Sequence, residues 1–141
     1  MTTAERSYVE QARRDHMTAL AAMGVPPFAY RYDRTHTAAE ALALYDDAMG
    51  DDGPAVSLAG RVVSWRSKGK TVFGHLEDAT GRIQLYFKRD DLGEDAWAQV
   101  DHLDLDDHLG VQGTLFRTRT GEVTVRVTGV TLLAKALRPL P

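Results

Sequence analysis

Two neighbouring segments, Thr71–Leu76 and Arg82–Lys88, carry the residues whose types and spacing suggest chemistry. Apolar side chains take every second place: Val72, Gly74 and Leu76 in one, Ile83, Leu85 and Phe87 in the other. If those face a core, then Phe73, His75, Arg82, Gln84, Tyr86 and Lys88 share the opposite, wet side. A ring on that side does little for a core. It can stack on an unpaired base, an interaction worth about 1–3 kcal/mol and nearly blind to base identity. Gln84 offers both a donor and an acceptor and so can read a Watson–Crick edge. Arg66, Lys68 and Lys70, in or beside the preceding turn, can meet phosphate or a base. The chemistry is recognition of a single-stranded nucleotide. The competing reading of Phe73 is a stray surface aromatic or a lid over a barrel mouth; Gln84 and the basic cluster at matching positions favour recognition.

These side chains need a sheet to hold them. Val56, Leu58 and Val62 predict a first strand, with Gly60 inside it as a bend or bulge. Arg66 has the parity of Val62 and would point inward under strict alternation. A bulge near Gly60, or a strand that stops by Ser64, would release it. The second and third strands meet at the Asp78-Ala79-Thr80-Gly81 turn. The acidic stretch Asp91–Leu103 predicts a helix with Ala96, Trp97 and Val100 inward. Leu109, Val111 and Leu115 predict a fourth strand. The turn Thr118-Arg119-Thr120-Gly121 leads to a fifth through Val123, Val125 and Val127, bent near Gly129. Three strands, a helix and two strands is the order of an all-β OB fold, a five-stranded Greek-key barrel.

A helical extension precedes it. Thr2-Thr3-Ala4-Glu5 has capping-box spacing and opens a helix from about Thr3 to Met23, stopped by Gly24 and Pro26-Pro27. A second box, Thr37-Ala38-Ala39-Glu40, opens a helix that the composition extends to about Met49. The turn-rich run 50–54 divides an extension over 1–53 from a barrel over 54–136, and 137–141 reads as the start of a linker.

Composition narrows the function classes. Without Cys there are no disulfides, thiolate metal sites or Cys nucleophiles, and a cytoplasmic location is expected. The opening residues are charged throughout, unlike a secretory signal, and no apolar run approaches a membrane span. The net charge of −3 looks wrong for a nucleic-acid binder. From Ala55 onward, however, eight of eleven acids fall between Asp90 and Asp107, and outside that segment twelve bases face three acids. A basic strand surface with an acidic insert to one side can still attract phosphate.

Several other signals fail. Ser67-Lys68-Gly69-Lys70-Thr71 imitates the end of a phosphate-binding loop, but Ser64 stands where Gly is required and a strand follows instead of a helix. The five His lack metal-ligand spacing, so no metal site is expected. Asp104, Asp106 and Asp107 lack the Gly and closing Glu of a calcium loop. Arg6, Arg13 and Arg14 read as a solvated helix face, and no catalytic constellation is present.

With these residues in view, the chain resembles the N-terminal anticodon-binding domain of bacterial-type class II lysyl-tRNA synthetases. The resemblance rests on Tyr32-Asp33-Arg34-Thr35-His36-Thr37, Ala59-Gly60-Arg61, Arg66, Gly69-Lys70, Phe73 and Leu76-Glu77-Asp78. It continues through Gly81-Arg82-Ile83-Gln84-Leu85-Tyr86, Arg89-Asp90-Asp91-Leu92, Thr118-Arg119-Thr120-Gly121-Glu122 and the closing Ala136–Pro141 segment. It implies that Phe73 stacks on the central uridine of a splayed anticodon, that Gln84 and Arg66 hydrogen-bond it, and that Glu122 lies in the same base-reading region. It also implies a homodimeric parent whose separate catalytic domain uses ATP, Mg and lysine. That domain's motifs do not fit in these residues, so the expectation for this chain is tRNA binding without catalysis or cofactor. Trp65 departs from the family, which often has Arg there. Two rival expectations keep the fold but change the role: a free-standing single-strand or trans-acting tRNA binder, or an assembly part that docks through its first helix.

Overall fold

The computed structural model describes residues 2–25 and 32–136; the Pro26-Pro27 stop and the linker reading of 137–141 lie outside them. Helix α1 spans Thr3–Ala22 and helix α2 spans Ala38–Leu44. Both open on the expected boxes. The Thr2 hydroxyl accepts from Glu5 N at 3.1 Å while Thr2 N donates to Glu5 Oε2 at 3.0 Å, and Thr37 and Glu40 repeat the exchange. The second helix is shorter than its composition predicted. Asp46 Oδ1 accepts from Ala48 N at 2.9 Å and starts a separate 3₁₀ turn over Asp47–Met49, a local cap that competes with continuation. The Arg face of α1 is not wholly solvated either. Arg13 is buried, and its Nη1 has no hydrogen-bond partner among the described residues.

The barrel follows as β1 (Ala55–Lys68), β2 (Thr71–Asp78), β3 (Gly81–Lys88), β4 (His108–Arg117) and β5 (Val123–Ala134). Between β3 and β4 the expected single helix is two short ones, α3 (Arg89–Leu92) and α4 (Glu94–Val100), broken at Gly93, whose φ is +85°. The strands close in the order β1-β2-β3-β5-β4, with β3 and β5 parallel and every other pair antiparallel. This is the OB fold.

The long β1 serves two neighbours, pairing β4 over Ala55–Arg61 and β2 over Arg61–Lys68. The inward residues expected from alternation form the core: Val56, Leu58, Val62, Val72, Leu76, Ile83, Leu85, Phe87, Leu109, Val111, Leu115, Val125 and Val127 are all buried. Each such side chain contributes about 1.5–3 kcal/mol by leaving water. The extension is tied to the barrel at the β2–β3 turn. Ala38 N donates to Asp78 Oδ2 at 2.8 Å and Ala39 N to Thr80 Oγ1 at 3.1 Å, so the barrel satisfies two first-turn amides of α2. Among the described residues no helix is long and apolar enough to cross a membrane.

Candidate nucleic-acid interface

The irregularity that frees Arg66 is a bulge, but it lies at Val63 and not at Gly60. Val62 pairs with Leu76 and Ser64 with His75, leaving one extra residue on β1. Beyond it the parity of β1 is reversed. Trp65 turns inward, against Phe87 at a centroid distance of 5.1 Å, while Ser64 and Arg66 turn outward. Opposite the indole stands Gly74; a Cβ there would lie 3.0 Å from Trp65 Cε3 and 2.8 Å from the Ser64 carbonyl oxygen. The Trp that departs from the family pattern is thus partly core.

With that reversal the outward side chains fall into three rows, each following residue-to-residue register across the strands. Arg66, Phe73, Tyr86 and Arg126 make an aromatic row with a cation at each end. Ser64, His75, Gln84 and Thr124 make a polar row beside it. Arg61, Glu77 and Arg82 make a charged row beyond that.

The aromatic row is tightly organised. Phe73 is half-buried, not fully exposed, because Tyr86 stacks on it at 4.9 Å with 7° between the planes. Phe116 approaches Tyr86 at 5.9 Å. A cleft of about 270 Å³, lined by Ser64, Trp65, Arg66, Phe73, His75 and Gln84, touches Phe73 without touching Tyr86, so one side of the ring stays open. A second cleft of about 400 Å³ shares Arg66, Phe73 and Gln84 and extends to Tyr86, Phe116 and the 118–120 turn. Arg126 is held by Asp91 through two bonds of 2.8 and 2.7 Å; those hydrogen bonds, ahead of the opposing effect of burial, keep the Asp91 carboxyl below its usual range.

In the polar row His75 is bonded through both nitrogens, Nδ1 to Ser64 Oγ and Nε2 to Glu122 Oε1, each at 2.6 Å. Thr124 is buried, and its hydroxyl reaches Gln84 Oε1 at 2.9 Å and the Glu122 carbonyl oxygen at 3.0 Å. Among the described residues the Gln84 amide nitrogen has no such partner. In the charged row Glu77 accepts from Arg61 at 3.2 Å and from Arg82 at 3.0 Å, and Arg61 also donates to Asp106 at 3.1 Å.

Of the residues singled out from sequence, the structure brings Phe73, Gln84, Arg66, His75 and Tyr86 together around the two clefts, with Glu122 tied to His75. Arg82 is committed to Glu77 and lines neither cleft. Lys68 and Lys70 lie at the β1–β2 turn; Lys70 lines a separate depression with Arg89, Asp90, Gly93 and Glu94. Ser64, Phe116, Thr124 and the cleft position of Arg119 escaped the sequence reading. For Arg119 a signal existed, since the loop between the last two strands is one of the two that OB folds use for oligonucleotides.

The charge argument also changes. The acidic insert does not stand to one side: Asp91, Glu94, Asp104, Asp106 and Asp107 pair with Arg126, Arg89, Lys135, Arg61 and again Lys135. Among the described residues Arg66, Lys68, Lys70 and Arg119 have no hydrogen-bonding or ion-pairing side-chain partner, and all four are exposed. Among the same residues no cluster of His, Asp or Glu is arranged to hold a metal ion. What the face can do is stack a planar ring, present directed polar groups to its edge, and offer mobile cations to a phosphate chain.

Comparison with known proteins agrees with this geometry. The chain is 46% identical to the lysine–tRNA ligase of Enterococcus faecalis over 133 residues, covering 92% of this chain and 27% of that protein. It is 43% identical to the lysine–tRNA ligase of Pediococcus pentosaceus and 42% identical to that of Bacillus subtilis, in each case over 135 residues, 93% of this chain and 27% of the relative. It thus spans about a quarter of the length of these curated relatives. The profile of the tRNA anticodon family, described as an OB-fold nucleic acid binding domain, matches residues 56–133. By that match, which covers the closed barrel and both clefts, the chain belongs to the OB-fold nucleic acid binding family.

Proposed function

We propose that this chain is the anticodon-reading part of a lysine–tRNA ligase and binds the anticodon stem-loop of its tRNA on the β1–β2–β3 face. Residues 54–136 act as the reading domain and 1–53 as its helical extension. The observation that carries the proposal is the pair of adjacent rows. Phe73 and Tyr86 lie beside Ser64, His75 and Gln84 in register, so a base stacked on the open side of Phe73 meets polar groups with its edge. By resemblance the stacked base is the central uridine, with Gln84 and Arg66 at its edge and Glu122 near a neighbouring base. Arg119, Lys68 and Lys70 supply phosphate contacts. ATP, Mg and lysine belong to the catalytic part of the longer, homodimeric, cytoplasmic ligase, and reading itself requires no cofactor.

Titration of the 141-residue chain with an anticodon stem-loop tests this. The expected result is saturable binding that weakens when the central uridine is replaced. Equal affinity for every replacement would overturn specific reading and leave a general single-strand binder.

A further inference from the structure

We propose that Ser64 and His75 set the hydrogen-bonding polarity of the smaller cleft, so that it accepts a base edge of the imide type, an N–H between two carbonyls, and rejects the inverse pattern. The inference rests on the base-reading function proposed above and deepens it. Neither residue acts by charge or by bulk.

The argument follows the protons. The Glu122 carboxylate can only accept, so the hydrogen between it and His75 Nε2, 2.6 Å apart, sits on the ring nitrogen. An uncharged imidazole carries one N–H, so Nδ1 is then an acceptor. With the ring uncharged, the 2.6 Å contact with Ser64 is a bond that the Ser64 hydroxyl donates. That hydroxyl has a single proton, and the relay consumes it. What Ser64 presents to the cleft it lines is a lone pair.

The other polar groups of the same cleft have the complementary sense. The buried Thr124 hydroxyl has one proton and two acceptors in reach, Gln84 Oε1 at 2.9 Å and the Glu122 carbonyl oxygen at 3.0 Å; with that proton on Gln84 Oε1, the two amide hydrogens are left for the cleft. Arg66 carries donors only. A lone pair at Ser64 with donors at Gln84 and Arg66 around the same cleft matches uracil, whose N3–H lies between O2 and O4. Cytosine presents a lone pair at N3 and hydrogens at N4, so it would face Ser64 acceptor to acceptor and Gln84 donor to donor. Glu122 is then more than a neighbour of the site. Its carboxylate fixes the tautomer of His75, and through it the direction of the Ser64 bond two groups away.

The decisive readout is the ratio of affinities for stem-loops with U or C at the central position, measured at neutral pH for wild type, Ser64→Ala, His75→Leu and His75→Gln. A role confined to folding would weaken both complexes alike. The relay predicts that Ser64→Ala and His75→Leu reduce the U-over-C ratio about tenfold, the effect of one directed hydrogen bond to a buried edge. The salt dependence, set by phosphate contacts, stays as in wild type. Gln carries one acceptor and one donor at about the spacing of the two ring nitrogens, so His75→Gln restores most of the ratio. Wild type that prefers U while Ser64→Ala and a folded His75→Leu keep that preference would overturn the relay alone. Wild type with no preference would overturn base reading itself, and the relay with it.

Discussion

The barrel treats charge in opposite ways at the two ends of its β4–β5 pair. At the 118–122 end, beside the clefts, Arg66 and Arg119 are exposed and unpaired among the described residues. At the other end Lys135, whose side chain is 1% exposed, donates to Asp104 at 2.5 Å and to Asp107 at 2.7 Å. Asp104 accepts from His16 of α1 as well, at 2.8 Å, and the fully buried Asp107 accepts from the backbone amides of Asp104 and Ala136. The lesson concerns desolvation. A buried ion is tolerated only with its partners in place, whereas a cation kept in water remains available to a ligand.

The largest test of that contrast is Lys135→Met. It strands two carboxylates in a dry site and should cost about 3–5 kcal/mol of stability in urea denaturation. A loss below ~1 kcal/mol would mean that the cluster is wetter than its geometry indicates. Phe73→Ala comes next. It should weaken stem-loop binding by about 1–3 kcal/mol. Loss of the Tyr86 stack should cost only ~1 kcal/mol of stability, so binding titration and denaturation together separate reader from scaffold.

Acid titration reports the structural carboxylates. Burial pushes the Asp78 carboxyl up, but bonds from the Thr80 hydroxyl and the amides of Ala38, Thr80 and Gly81 outweigh it and hold it below the usual range, as Arg126 does for Asp91. A depressed folded-state value means stability that is present above the ordinary carboxylate pKa and lost as pH falls through and below it. Denaturation midpoints should therefore drop on acidification. Asp78→Asn should flatten that drop while lowering stability at neutral pH by about 1 kcal/mol, because one of two accepting oxygens becomes an N–H donor. An unchanged acid profile would show that the link between α2 and the barrel does not depend on this carboxylate.

The smallest effects should divide the arginines. Arg119→Ala should reduce the slope of log affinity against log salt by about 0.7, one phosphate contact to a single strand. Arg82→Ala, already neutralised by Glu77 and away from both clefts, should leave that slope intact and change stability by less than ~0.5 kcal/mol. Equal slopes for the two variants would erase the distinction between paired and unpaired cations on this face.

Strands β2 and β3 were legible because both faces of a half-buried antiparallel pair write themselves as alternation, and Phe73 and Gln84 were placed correctly on that basis. The side of Arg66 was not, because one extra residue at Val63 leaves no mark in composition. The bonds that complete the site link residues far apart in the chain: His75 to Glu122 spans 47 positions and Gln84 to Thr124 spans 40. Local pattern carries no information about such pairs. The same holds for Asp104 and Asp107, whose partner lies near the end of β5. In the sequence they are a calcium loop without its Gly and closing Glu, and only closure of the barrel makes them a lock. Thr124 was hidden for a different reason: a small polar residue between Val123 and Val125 looks like a surface position, yet it is fully buried and its hydroxyl serves Gln84.

The extra residue at Val63 also bears on how such a face can change. Side chains along a strand keep time like a two-beat measure, and Val63 adds a single beat just before the site. Taking Val63 into the regular ladder, with every residue kept, would exchange the places of Trp65 and Arg66 without altering a single side chain, putting the indole on the nucleotide side and the guanidinium in the core. The character of this surface is therefore stored in rhythm as much as in residue identity. A graft of these clefts onto another barrel would have to carry the offset along with the amino acids.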